Sequence, residues 1–354
     1  MRCTASIVCH MNVKVKKVWV IAALVLAFFL IFFGNICTDA ALYGFDLWLC
    51  YVMPSVFPFF VCISLLRESG IMGAAGKGFR LPLFFATALS GAPSGSGLCV
   101  QLEKDSVIHT DDLPVYCAAC NMLSPAFLIG TLSVMTGGYA FVIPVITGHY
   151  LAALAVILLA RGKKDNISHI GYEKTQKSFF TVLCNAISDG VKSSITVCGV
   201  IIFFTVLIAV ITSCAITLGM NVQNPVFVFL LSLIEVTSGS EMLLSIGLDY
   251  SLTCALLSFS LSFGGLCIMA QTFSIVSLGV KKYLLTKLIM ATVSGVAAYI
   301  VSKLIPQSQS VFSNAAETFA KAAEGSLALC VIALSSVIGC GCVWLFAVSR
   351  ARPK

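Results

Sequence analysis

Apolar residues run along this chain in blocks of about 20 with no polar face, the length a helix needs to cross a hydrocarbon core of about 30 Å. Such blocks stand at residues 18–36, 47–66, 113–134, 139–160, 191–216, 251–278, 283–304 and 327–348. Two further apolar stretches differ from these because each is interrupted at its middle by small and polar residues. One is 81–102 (LPLFFATALSGAPSGSGLCVQL), interrupted at 90–97; the other is 225–247 (PVFVFLLSLIEVTSGSEMLLSIG), interrupted at 235–241. Backbone unwound at membrane depth is tolerated only where protein or a wet cavity satisfies it, and paired interrupted segments point to the substrate site of a secondary carrier. Solute transport is the expectation this pattern sets.

Charge in the loops decides how the interrupted stretches enter the membrane. Lys14, Lys16 and Lys17, then Arg67, Lys77 and Arg80, then Arg161, Lys163, Lys164, Lys174 and Lys177 all belong on the cytoplasmic side. Three full crossings between Arg80 and Arg161 would put the last of these clusters outside, so 81–102 enters and leaves on one face. Lys281 and Lys282 impose the same on 225–247, from the opposite face, and Arg350, Arg352 and Lys354 then end in the cytoplasm like the N-terminus.

The expected fold is therefore all-α: a polytopic membrane protein with about eight transmembrane helices plus two re-entrant helical hairpins. Leu47 and Val191, Leu81 and Pro225, and Tyr139 and Tyr283 are separated by one and the same offset, and an odd number of crossings per half inverts the second half. The chain divides into an N-terminal transmembrane anchor (1–46), a first repeat (47–160), a cytoplasmic linker (161–178), an inverted second repeat (179–304), and an outer loop with a C-terminal transmembrane helix (305–354). The run 18–36 is longer than a signal-peptide core and reads as an uncleaved anchor.

Composition agrees. Hydrophobic residues make up 59% and charged residues 10% of 354, too little polar surface to cover a soluble globule. A β-barrel would alternate apolar and polar positions instead of running apolar on all faces. The net charge of +7 sits at helix ends, with no basic stripe for nucleic acid. The 16 cysteines are scattered through apolar runs, as small hydrophobes. Cys117 with Cys120 and Cys340 with Cys342 lack a second pair or nearby histidines, so no metal is expected. GIMGAAGKGF sets Lys77 after Gly76 without the phosphate-loop spacing, and no cofactor is implied. No nucleophile with a base appears, so an enzyme is not expected.

The interruptions carry the candidate chemistry. In the first, Gly91, Gly95 and Gly97 admit close approach of backbone amides, Pro93 breaks the helix, and Ser90, Ser94 and Ser96 supply hydroxyls. The half-helix that begins there presents an N-terminus suited to an anion, while the alternative use of such small residues is close helix packing. In the second, Glu235, Thr237, Ser238, Gly239, Ser240 and Glu241 place carboxyls near mid-membrane, where a charge faces a cavity or a partner. Glu235 reads either as a proton or ion-coupling group or as a carboxylate that fixes the hairpin through backbone amides.

Two crossings are also disturbed. One holds Asn121, Ser124 and Pro125, the other Gly264, Gly265 and Gln271; each amide side chain serves a polar solute or glues helices together. His149 is a second candidate for proton coupling, or a neutral histidine bonded to a neighbouring helix. Asp189 and Lys192 read as cap and snorkelling residues at a membrane edge.

LWLCYVMPSVFPFFVCISLL, LSGAPSGSG, CNMLSPAFLIG, GHYLAALAV, LIEVTSGS and SFSLSFGGLCIMAQ follow one another between Leu47 and Leu304. As a set they resemble the YlbJ (SpoVV) sporulation integral membrane protein family, in the nucleoside-recognition or Gate-domain group. The resemblance implies movement of dipicolinic acid, a small aromatic dianion, across the outer forespore membrane. The implied partners are the lipid bilayer, the small-molecule anion, and further copies or other sporulation membrane proteins. It carries Ser90, Gly91, Pro93 and Gly95 to the first tip, Glu235, Ser238 and Gly239 to the second, and Gly264, Gly265 and Gln271 to the disturbed helix. Ala92 stands where the family pattern has an aromatic residue, and Gly97 near where it has a lysine.

Overall fold

The computed structural model describes residues 27–68, 79–104, 107–160 and 179–304, with Val20 and Leu24 besides. The linker 161–178, the outer loop 306–326, the crossing 327–348 and the N-terminal lysine cluster lie outside the described residues. All regular elements among the described residues are helical.

In chain order they are α1 (Gly34–Leu47), a π-helical turn (Trp48–Val52), and α2 (Met53–Glu68). The first interrupted stretch forms α3 (Arg80–Ser90) and α4 (Ser94–Lys104). Then come α5 (Leu113–Cys120), a second π-helical stretch (Ala126–Thr131), α6 (Leu132–Thr136) and α7 (Val142–Leu159). The remainder is α8 (Phe179–Thr217), α9 (Pro225–Ser232), α10 (Val236–Ser245), α11 (Tyr250–Phe263), α12 (Gly265–Ile275) and α13 (Val280–Leu304).

Among the described residues, four spans are long and apolar enough to cross a membrane: Val142–Leu159, Phe180–Thr217, Tyr250–Ile275 and Val280–Leu304. The pair Gly34–Val52 and Val56–Cys62 is apolar enough as well but is bent by 60°, the geometry of a broken span or of a re-entrant loop. Their outer faces are apolar: Leu42, Leu159, Phe180, Leu285 and Leu304 are all exposed, as a lipid-facing surface requires.

Helix α13 packs against α7 and α11, while α8 packs against α1 and α2. One apolar core gathers Tyr116, Met122, Tyr283 and Met290 between α3, α4, α5, α7 and α13. A second gathers Leu128, Leu243, Leu257 and Leu261 from the Ala126–Thr131 stretch, α10 and α11.

Several boundaries differ from those read in the sequence. The expected separation of the crossings 18–36 and 47–66 is replaced by continuous helix through Gly34–Leu47 and Trp48–Val52 into Met53–Glu68. The stretch 37–46 contains no proline, so nothing local stops the helix; the bend falls later, between Val52 and Val56, where Pro54 lies. Helix α8 begins at Phe179, well before residue 191, so Asp189 and Lys192 are not end residues. They face each other one turn apart in mid-helix, 3.8 Å between charged atoms. The crossing 113–134 breaks after Cys120, because Pro125 has no N–H to continue the ladder. The crossing 251–278 breaks at Gly264, whose φ of 83° lies in the left-handed region.

Candidate functional site

The unwound residues of both interrupted stretches are fewer than their composition suggests. Only Gly91 to Pro93 separate α3 from α4, with a cis Ala92–Pro93 peptide, and only Leu233 to Glu235 separate α9 from α10. Ser94, Gly95 and Ser96 form the first turn of α4, and Thr237, Ser238, Gly239 and Ser240 that of α10. Ser and Gly reside comfortably in a first helical turn, so a cluster of them marks the start of a half-helix as readily as a tip.

The two breaks open on one cavity of about 60 Å³. Its polar side is Ser90, Ser124, Glu235, Thr237 and Gln271, with the backbone of Gly91 and Ala92. Its apolar side is Val52, Val56 and Phe60 of α2, Phe127, and Val197, Val200 and Ile201 of α8. Of the candidates, Ser90, Gly91, Ser124, Glu235, Thr237 and Gln271 thus come together at the cavity. Pro93, Ser94, Gly95, Ser96, Asn121, Pro125, Ser238, Gly239, Ser240, Gly264 and Gly265 do not line it; they shape the breaks behind it.

Close approach explains the glycines among them. A Cβ on Gly95 would lie 2.0 Å from the Cys120 carbonyl oxygen, and one on Gly239 would lie 2.3 Å from Ser232 Cα. Gly95 therefore seats α4 on the end of α5, and Gly239 closes α9 against α10. A Cβ on Gly91, which has φ 66°, would lie 3.0 Å from Ser124 Cβ. One on Gly265 would lie 3.0 Å from the Ile234 carbonyl oxygen at the second break.

Glu235 takes the second of its two readings. It is 1% exposed and caps α10: Oε1 accepts from Thr237 N at 2.9 Å, and Oε2 from Ser238 N at 2.6 Å and Ser238 Oγ at 2.8 Å. The amides of Thr237 and Ser238 at the N-terminus of α10 are consequently satisfied by its own chain. Glu241 accepts a short hydrogen bond from the Tyr43 hydroxyl of α1.

His149 lies away from the cavity, fully buried. Its Nε2 accepts from Leu123 N at 3.0 Å, so that nitrogen carries no proton, and Nδ1 donates to Ser262 Oγ at 2.7 Å. Ser262 Oγ in turn donates to Ser294 Oγ at 2.7 Å. This is the neutral histidine bonded to neighbouring segments, serving an amide that the break at 121–125 left without a helical partner.

Asn121 Nδ2 donates a short hydrogen bond to Thr272 Oγ1, joining the two disturbed crossings. Beside it lies a residue that the sequence analysis passed over. Lys287, 1% exposed in α13, donates to the Asn121 carbonyl at 2.8 Å and the Ser262 carbonyl at 3.3 Å. The signal was present, since a lysine inside an apolar crossing is a functional position by default. Lys281 and Lys282 drew attention as loop charges and Lys287 was absorbed into the run that follows them.

No protein-family profile matches the chain, and no solved structure matches it. The sporulation integral membrane protein YlbJ of Bacillus subtilis is 25% identical over 287 residues, covering 68% of this chain and 70% of that protein. That likeness agrees with the resemblance the motifs carry: the chain is similar to a sporulation integral membrane protein over about two thirds of its length, and its long apolar helices are those of a membrane protein.

Proposed function

We propose that this chain is a carrier of a small planar organic solute, with dipicolinic acid crossing the outer forespore membrane as the first cargo to test. The observation that carries the reading is the cavity to which both helix breaks contribute, a mostly apolar wall set with a few hydroxyl, amide and carboxyl groups. In this reading the two halves, 47–160 and 179–304, are inverted repeats whose hairpins α3–α4 and α9–α10 enter from opposite faces, with both termini cytoplasmic. The same apolar outer faces that meet lipid are where further copies or other sporulation membrane proteins would dock. The chain acts as a carrier and not as an enzyme.

A cavity of about 60 Å³ is far below the ~300 Å³ of a small-molecule site, so this conformation is too narrow for such a solute and loading requires the walls to part. Flat apolar surface from Val52, Phe60 and Phe127 suits a ring, and Ser90, Ser124 and Gln271 suit its polar edge. Among the described residues, those lining the cavity include Glu235 but no lysine, arginine or histidine. A dicarboxylate therefore enters with its charge offset by protons or a companion cation. The same observation favours a second reading, in which the cargo is an uncharged polar ring compound such as a nucleoside.

Liposomes containing the purified chain, offered labelled dipicolinate with nucleoside as competitor, test both. Saturable dipicolinate uptake that nucleoside does not displace is expected, reduced at least tenfold by Gln271→Leu at unchanged stability. Uptake of neither cargo above empty liposomes would overturn the carrier reading; uptake of nucleoside alone would move it to the second cargo.

A further inference from the structure

Two carbonyls in the interior of the bundle lose their helical partners for reasons visible in the chain. The Asn121 carbonyl would accept from the amide of residue 125, which is Pro125 and has no N–H. The Ser262 carbonyl would accept from the amide of Leu266, but that N–H is turned to the Leu233 carbonyl at 3.0 Å, at the break between α9 and α10. Both oxygens sit at the C-terminal ends of half-helices, α5 and α11, where the aligned peptide dipoles are negative. An unpartnered pair of this kind in a membrane interior is a site for a cation, and unwound carbonyls at half-helix C-termini are what hold coupling ions in broken-helix carriers.

The Lys287 ammonium occupies that position, 2.8 Å from one oxygen and 3.3 Å from the other. The ion pairs among the described residues do not include it. Its two acceptors are both backbone dipoles, which is how a bound monovalent cation is held and unlike the carboxylate partner a buried lysine ordinarily has. Its side chain arrives from α13, a helix packed against α5, α7 and α11.

We infer that Lys287 is a tethered cation filling a monovalent-cation site between the two broken crossings, so that this chain needs no sodium or potassium there. Removing the amine turns the position into a binding site for a small free cation. Ethylammonium, which fits the space between an alanine Cβ and the two carbonyls, is the matched probe.

The inference rests on the carrier reading only where uptake is measured, so the first measurement is thermal unfolding of the purified chain in detergent. The unfolding midpoint of the natural chain is expected to be indifferent to replacing sodium by potassium or choline at constant ionic strength. Lys287→Ala is expected to unfold several degrees lower and to be restored saturably by ethylammonium, whereas Lys287→Met, whose thioether chain fills most of the space of the lysine side chain, is expected to show no response. In liposomes, K287A uptake should be lost and return with ethylammonium. A folded K287A whose midpoint ignores ethylammonium, sodium and potassium alike overturns the proposal. If K287A yields no folded protein, the natural chain decides: saturable stabilisation by sodium or potassium overturns the tethered-cation site, and indifference to both sustains it. Absence of uptake in the natural chain bears on the carrier reading alone.

Discussion

Among single residues, the glycines of the first interruption separate cleanly by what surrounds them. Gly95 faces a backbone oxygen at 2.0 Å from where a Cβ would stand, whereas a Cβ on Gly97 would meet nothing within 4 Å. Gly95→Ala and Gly239→Ala should each destabilise the chain by at least the ~1–3 kcal/mol of an overpacked core, because the obstacle is backbone and does not yield. Gly97→Lys should stay within about 0.5 kcal/mol of the natural chain. Thermal unfolding in detergent checks all three. A lysine at 97 would restore the family pattern, yet position 97 does not line the cavity, so its effect on dipicolinate uptake should be small compared with that of Gln271→Leu. Glu235→Ala removes the acceptor for two amides and a hydroxyl and should cost about 1–2 kcal/mol as a lost cap. The serine and glycine content of these stretches was legible in the sequence; that most of it forms first helical turns was not, because composition does not distinguish a tip from the turn that follows it.

Helix breaks are the elements on which the site depends. Pro125 announces the break after α5, and Gly264 with Gly265 the one between α11 and α12, each by a backbone property readable from one residue. At Gly264 the nearest atoms to an added Cβ lie at 3.5 Å, ordinary contact, so Gly264→Ala isolates the backbone term. It should lower stability by about 1–2 kcal/mol, the cost of a left-handed residue with a side chain. What no pattern of apolar positions reveals is where the released carbonyls and amides go. His149 and Lys287 answer that question from other helices, at separations of 26 residues for His149 to Leu123 and 166 for Lys287 to Asn121. The continuous run from α1 into α2 escaped notice for the opposite reason: Asp39 and Asp46 look like loop residues although neither interrupts a helix on an exposed face.

For the molecule as a whole, the narrowness of the cavity sets the order of events. A solute reaches Glu235 and Gln271 only if α2 or α8 moves away from the breaks, since those two helices supply the apolar wall. With a carboxylate and no cation at the cavity, dipicolinate uptake should rise as the external pH falls toward the range where its carboxyls take up protons. Nucleoside uptake should remain flat over the same interval. Initial rates in liposomes with the internal pH held constant would show the difference, and a dipicolinate rate that rises with pH would reverse the charge argument.

Helix α8 has 39 residues. At 1.5 Å each it is about 58 Å long, whereas a rod tilted by 40° uses only about 39 Å to traverse a 30 Å hydrocarbon layer. About 19 Å, or three turns and more, must stand clear of the lipid like a mast. The Asp189–Lys192 pair, costly inside hydrocarbon, sets the waterline near its base. Amide hydrogens of residues 179–188 should therefore exchange with solvent well before those of 195–215, and any tilt of the buried length during opening would sweep the free end through a wide arc, where a label at the exposed Cys184 would register it.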